Sequence, residues 1–214
     1  MPRRNPISVK RSLTGELLCV SCNTVPEIMY VVHQLGRYMT KATKSHFEVA
    51  KHVLRYLKGK LNGSRLTWCA EDCSLSKHMS GELWAMADSS WADVKPARKS
   101  TLCYMISMNN AVFSWRSSLA SILALSTAEA ELIAIMACAT EINFMRKLMT
   151  ELGFPPNGPT KCSMKTIPEQ SLLLKLVTSK AVRIILIYVL NGLLTMLDLG
   201  LIKLEIQHSQ KMGC

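Results

Sequence analysis

The sequence predicts an α/β chain, and three observations carry that prediction. Apolar residues recur at helical spacing between residues 16 and 58, strand-like runs fill residues 65–116, and a long amphipathic helix is expected over 127–151. In the first region Ile28, Val31, Val32, Leu35 and Met39 form one stripe. From Lys44 to Lys58, Phe47, Ala50, Val53, Leu54 and Leu57 share a face, while Lys51, Arg55 and Lys58 lie on or near the other. Gly59 and Gly63 stop that helix. Residues 1–15 are basic and polar without a clear period, and read as the cut end of something longer.

The strand region is punctuated by turn residues. Leu83-Trp84-Ala85-Met86 is a short run ending at Ala87-Asp88. Residues 101–107 and 111–115 flank Asn109-Asn110, a hairpin signal because Asn tolerates the left-handed backbone of tight turns. In the long helix, Ser126 or Thr127 is placed to cap the N-terminus and Glu129 to favour the dipole. Leu132, Ile135, Met136, Ala139, Ile142, Met145 and Leu148 form its apolar face, and Gly153 ends it before a rigid Pro155-Pro156-Asn157-Gly158-Pro159 connector. Residues 171–204 are rich in Leu, Ile and Val but lack a clean amphipathic period. Their longest uncharged run, Ile184–Leu197, falls short of the roughly 20 residues that span a bilayer, so a membrane role is not expected.

Lys and Arg outnumber Asp and Glu by 26 to 15, a formal charge of +11. That excess suits a polyanion: nucleic acid first, an anionic membrane surface second, a merely solvated basic surface otherwise. No secretory signal follows Met1, so an intracellular protein, cytoplasmic or nuclear, with reduced thiols is expected. Cys19/Cys22 and Cys69/Cys73 have a spacing that zinc sites use, but strand-like Leu17, Leu18 and Val20 surround the first pair and neither has a His nearby.

Six ordered motifs resemble the end of copia-type retrotransposon Pol polyproteins. Ser21–Tyr30 resembles the family's T-R-P-D-I segment, with Val25 and Glu27 in place of the usual Arg and Asp. His46–Gly59 is similar to H-W-x-A-x-K-x-x-L-R-Y-L-x-G. Ala87–Ala92 resembles Y-x-D-A/S-D-W-A-G, Arg98–Thr101 resembles R-R/K-S-T, Phe113–Ser117 resembles I-S-W-x-S/T-K, and Leu125–Glu131 resembles L-S-T-x-E-A-E-Y. The resemblance implies an RNase H-like fold, a mixed sheet flanked by helices, incomplete here. It also implies hydrolysis of the RNA strand of an RNA–DNA hybrid, with no small-molecule substrate. In that chemistry clustered carboxylates hold two Mg²⁺ or Mn²⁺ ions about 4 Å apart, one activating water and the other stabilising the leaving oxygen. Asp88 and Glu131 match two of the ligands. Glu131 is preferred to Glu129 by analogy with the A-E-L pattern of other RNases H; Glu129 is assigned to the helix dipole, Ser126 to the cap and Asp93 to solvent.

The third acid follows the long helix in the family, on a strand ending in Y/C-E/C-D-N. Here Cys162-Ser163-Met164-Lys165-Thr166-Ile167-Pro168 holds no carboxylate. Codons exist for 163–168 that read Tyr-Glu-Asp-Asn-Thr in another frame, and for 184–189 that read His-Ile-Asp-Ile-Arg, the family's next motif. Residues from about 162 to 195 are therefore expected to be out-of-frame translation, which would also remove core pairing around Lys161–Lys165. The original frame returns near Leu199–Glu205, and Ser209–Met212 resembles the start of T-x-x-M-x-A-D, which carries the fourth ligand. The expected organisation is a helical end of the reverse transcriptase segment over 1–62, a partial RNase H-like domain over 63–160, and an aberrant tail over 161–214.

Three functions compete. The first is a hybrid nuclease with replacement acids such as Glu169 or Asp198; the second is an inactive domain that still binds nucleic acid; the third is a fragment without function. For the second, Lys51, Arg55, Lys58, Lys60 and Arg65, and Arg98, Lys99 and Arg116 around the hairpin, are the candidate phosphate contacts. The four tryptophans do not clearly interleave with these charges, and Trp91 and Trp115 read as core or motif residues rather than a stacking platform.

Overall fold

The computed structural model describes residues 6–60, 82–94, 97–109, 111–164 and 192–206. The strand reading of 65–81, the Cys69/Cys73 pair, Arg65, Glu169, Ser209–Met212 and most of the 162–195 segment lie outside them. The chain divides into two compact units, one of Met1–Thr67 with Arg116–Ser118, the other of Trp68–Trp115 with Leu119–Cys214.

The first unit is helical. Helix α1 spans Pro6–Asn23, a 3₁₀ turn covers Pro26–Ile28, α2 spans Met29–Arg37 and α3 spans Lys44–Lys60. Two expectations are corrected. The segment without a clear period is helical from Pro6, and Leu17, Leu18 and Val20 are helical rather than strand-like. Packing decides this: Leu17 is buried against Ile28, Val32, Leu35, Ala50 and Val53, with Leu13 and Val20 beside it, and tertiary burial outweighs weak local propensity. The break after Asn23 has a local cause. Thr24 donates its hydroxyl back to the Val20 carbonyl at 3.0 Å, and Pro26 starts the next turn. Glu27, standing where the family has Asp, takes hydrogen bonds from Tyr56 at 2.5 Å and Lys60 at 2.7 Å, tying that turn to the end of α3.

The second unit contains a five-stranded sheet in the order β3-β2-β1-β4-β5. Strands β1 (Leu83–Val94), β2 (Lys99–Met108) and β3 (Ala111–Leu119) precede helix α4 (Thr127–Glu151), and β4 (Thr160–Met164) and β5 (Ile202–Ile206) follow it. β1 runs antiparallel to β2 and parallel to β4, and β4 runs parallel to β5. Asn109, at φ +49°, opens the turn between β2 and β3, as the Asn pair predicted. The expected mixed sheet flanked by helices is therefore present.

α4 forms as its stripe predicted. Ser126 accepts a hydrogen bond from the Glu129 N–H at 3.2 Å, and Glu129 accepts from the Leu125 N–H at 2.6 Å, so both residues close the helix start. Leu132, Ile135, Ala139 and Ile142 then bury against Leu83, Ala85, Ala87 and Ile106 of the sheet. Gly153, at φ +86°, lets the chain turn away. Cys138 of α4 and Cys162 of β4 are free thiols buried in this core.

β4 corrects a further expectation. Thr160–Met164 pairs with β1 on one side and β5 on the other, so core pairing is retained there. The reason is that ladders use the backbone, and this short run still alternates acceptably. Thr160 and Cys162 are buried, and Lys161 reaches Glu82 at 3.4 Å. A helical stretch at 192–198 follows, packing Leu193 into the same core. Among the described residues, no helix is long and apolar enough to cross a membrane.

Candidate active site

Asp88 was expected at the end of the first strand. It stands instead in mid-strand, paired with Cys103 of β2, because β1 continues to Val94. Ser89 and Ser90, which resemble turn residues, are held extended by their partners Leu102 and Thr101. The Asp88 carboxylate is exposed and accepts the Ser89 N–H at 2.8 Å. Glu131 lies in the first turns of α4, partly buried. One of its carboxylate oxygens is buried without a hydrogen-bond partner. Burial first, and the Asp88 charge second, raise the Glu131 carboxyl above its ordinary range. The fold thus brings two distant acids within electrostatic reach.

Two carboxylates, one with an orphaned oxygen, offer the hard ligands that Mg²⁺ or Mn²⁺ prefers. As a pair they suit partial coordination of one ion. Among the described residues, no three His, Cys, Asp or Glu side chains converge as a metal site. Asp198, considered as a replacement acid, sits exposed at the end of the 192–198 helix. Beside the acids, β4 sets Met164 opposite Ala87 and Ser163 opposite Met86, so the neighbouring strand brings no acid alongside. Cys19 and Cys22 are exposed free thiols.

Asp93 has a role that sequence reasoning missed. Its carboxylate accepts the Thr101 N–H at 3.0 Å and the Thr101 hydroxyl at 2.7 Å, bracing β1 against β2. The signal was present: Asp93 directly follows the Ala87–Ala92 motif, and Thr101 ends the Arg98–Thr101 motif eight residues on. Trp91 is a correction. It is 41% exposed rather than core, because a bulge between Ser90 and Val94 shifts the register and breaks the inward alternation of Leu83, Ala85 and Ala87.

The basic candidates fall into sets. In the first unit Lys51, Arg55 and Lys58 share one face of α3 by helical spacing, and Lys51 pairs with Glu48 at 2.8 Å. Arg55, Lys58 and Arg116 are exposed. In the second unit Arg98 lies over the Trp91 ring at 5.8 Å, and Lys99 donates to the Ser121 carbonyl at 3.3 Å.

Sheet order and the helix α4 that packs on the sheet define the class as an α/β protein with a mixed five-stranded sheet. No family model matches the chain. It is similar to the retrovirus-related Pol polyprotein from transposon TNT 1-94 of Nicotiana tabacum, 30% identical over 142 residues, or 66% of this chain and 10% of the relative. It is equally similar to that from transposon RE1 of Arabidopsis thaliana, 30% identical over 149 residues, or 70% of this chain and 10% of the relative. The chain spans about 10% of the length of the curated relatives it matches. Among solved structures it is similar to LC11-RNase H1 in complex with an RNA/DNA hybrid, with a TM-score of 0.41 and 11% identity over 61% of this chain and 86% of that one. The chain is a homologue of the copia-type retrotransposon Pol polyproteins.

Proposed function

We propose that this chain is an RNase H-like part of a retrotransposon Pol polyprotein that binds nucleic acid inside the cell without sequence preference and does not hydrolyse RNA in a hybrid. The carrying observation is the Asp88–Glu131 carboxylate pair, which no third acid joins among the described residues, set beside a β4 strand that places Ser163 and Met164 in register with Met86 and Ala87. In-line hydrolysis by two ions needs enough oxygens to fix both cations, and a pair is too few for that geometry. An out-of-frame segment from about 162 to 195 accounts for the missing acid, while the short β4 ladder preserves the sheet. The remaining function is electrostatic: the excess of basic residues over acids favours a polyanion, with Lys51, Arg55, Lys58, Arg98, Lys99 and Arg116 as the candidate phosphate contacts.

The test is paired. The full chain is incubated with an end-labelled RNA–DNA hybrid in Mg²⁺ or Mn²⁺, and its binding to the same hybrid is followed across salt concentrations. Binding that weakens steeply with salt, without cleavage, is expected. Metal-dependent cleavage lost in Asp88→Asn would overturn the inactive assignment, and absence of binding at low salt would overturn the binding assignment.

A further inference from the structure

The bulge that exposes Trp91 is built with unusual care for a surface feature. Two non-glycine residues around it, Ala92 at φ +52° and Arg98 at φ +49°, occupy the left-handed region that side chains disfavour. The surroundings fix that conformation. The Ala92 N–H donates to the Ser100 hydroxyl at 3.2 Å, and Asp93 grips Thr101 through both oxygens. Strain of this kind persists where neighbouring contacts over-determine it, and it points toward a use.

The indole is fixed as well as exposed. Its N–H donates to the Ala124 carbonyl at 3.0 Å, which consumes the ring's one donor and holds its orientation. The residues on either side of Ala124, Leu123 and Leu125, are 47% and 59% exposed. The Arg98 guanidinium lies 5.8 Å from the ring centroid and makes no ion pair with a described residue. Lys99 follows it in β2, next to Ser100. A rigid aromatic face beside a guanidinium that has no ion pair among the described residues has the elements of a stacking platform for nucleic acid.

We infer that Trp91 stacks an unpaired nucleobase of single-stranded nucleic acid, while Arg98 and Lys99 contact the adjoining phosphates. A base suits the site because its flat face matches the exposed indole without needing a hydrogen bond from the ring nitrogen. A phosphate alone would leave the indole unused. The inference rests on the proposed nucleic-acid binding and adds to it a place and a preference for unpaired bases.

The experiment measures fluorescence anisotropy of labelled oligo-dT and oligo-rU of about 12 nucleotides with the full chain, alongside the RNA–DNA duplex. Trp91→Ala is expected to weaken binding of the single strands roughly 5- to 100-fold, with the salt slope unchanged and duplex binding little altered. Trp91→Phe retains most of the affinity. Arg98→Ala lowers the salt slope by about one phosphate contact. Equal preference for oligo-dT and oligo-rU is expected, because stacking does not read the sugar hydroxyl. A strong preference for one would overturn stacking as the basis of recognition. Should Trp91→Ala lose its cooperative melt, photocrosslinking of the unaltered chain to a 5-iodouracil oligonucleotide decides: attachment at Trp91 supports the platform, and attachment elsewhere overturns it. Single-strand binding unaffected in a folded Trp91→Ala also overturns it, while leaving the proposed function standing. Failure to bind any nucleic acid removes both.

Discussion

Glu131 of α4 and Asp88 of β1 act on each other electrostatically: burial and then the Asp88 charge hold the Glu131 carboxyl protonated to higher pH than usual. The folded state therefore binds more protons than the unfolded chain between the ordinary carboxyl value and the raised one. Stability from this group is present below the ordinary value and declines as pH rises toward the raised value. Glu131→Gln is expected to flatten that decline and to raise the melting temperature near neutrality, by a modest amount because the group is only partly buried. Asp88→Asn should act in the same direction to a lesser degree, since the Asp88 charge is the second cause. Melting curves from acid to neutral pH check both.

Asp93 and Thr101 give a second prediction. Thr101 is 4% exposed, and Asp93 supplies the acceptor for both its N–H and its hydroxyl. Asp93→Ala leaves those two donors unmatched and should cost about 1–3 kcal/mol in denaturant unfolding. Asp93→Asn, which keeps one acceptor oxygen, should cost less. A neutral Asp93→Ala variant would show that the bulge is held by other contacts.

The start of α4 offers a third. Ser126 accepts the Glu129 N–H, while the Glu129 carboxylate closes back on the Leu125 N–H. Ser126→Ala is expected to lose about 1 kcal/mol, and Ser126→Asp to lose little. Because Glu131 rides on the same first turns, Ser126→Ala should also lessen the pH dependence described for Glu131. Circular dichroism melts at two pH values would measure both effects.

The gene supplies a fourth. Codons for residues 163–168 should read Tyr-Glu-Asp-Asn-Thr in one alternative frame, and those for 184–189 should read His-Ile-Asp-Ile-Arg in the same frame. Sequencing the genomic DNA checks this directly. Codons unable to encode these motifs would remove the frame change as the cause of the missing acid.

How far the sequence reaches depends on whether a residue's environment is local. α4 was readable because Leu132, Ile135, Ala139 and Ile142 repeat at helical spacing behind a serine cap. The β2–β3 turn was readable because Asn109 tolerates positive φ. Asp88 and Glu131 were singled out by motif resemblance rather than by any local period. Other features depended on distant partners. Asp88 stands in mid-strand because Leu102 and Thr101 hold Ser89 and Ser90 extended. β4 is a strand because β1 and β5 lie on its two sides, which no pattern in five residues announces. α1 needed the buried contacts of Leu17, and Trp91 needed the bulge. Local periodicity therefore located the elements, while long-range pairing set where they end and which side chains they expose.

The most direct measurement is hydrolysis of an end-labelled RNA–DNA hybrid by the full chain in Mg²⁺ and in Mn²⁺, with Asp88→Asn and Glu131→Gln run alongside. No product above the metal-only control is expected, and the two variants should be indistinguishable from the parent. Metal-dependent RNA cleavage that disappears in both variants would contradict the account.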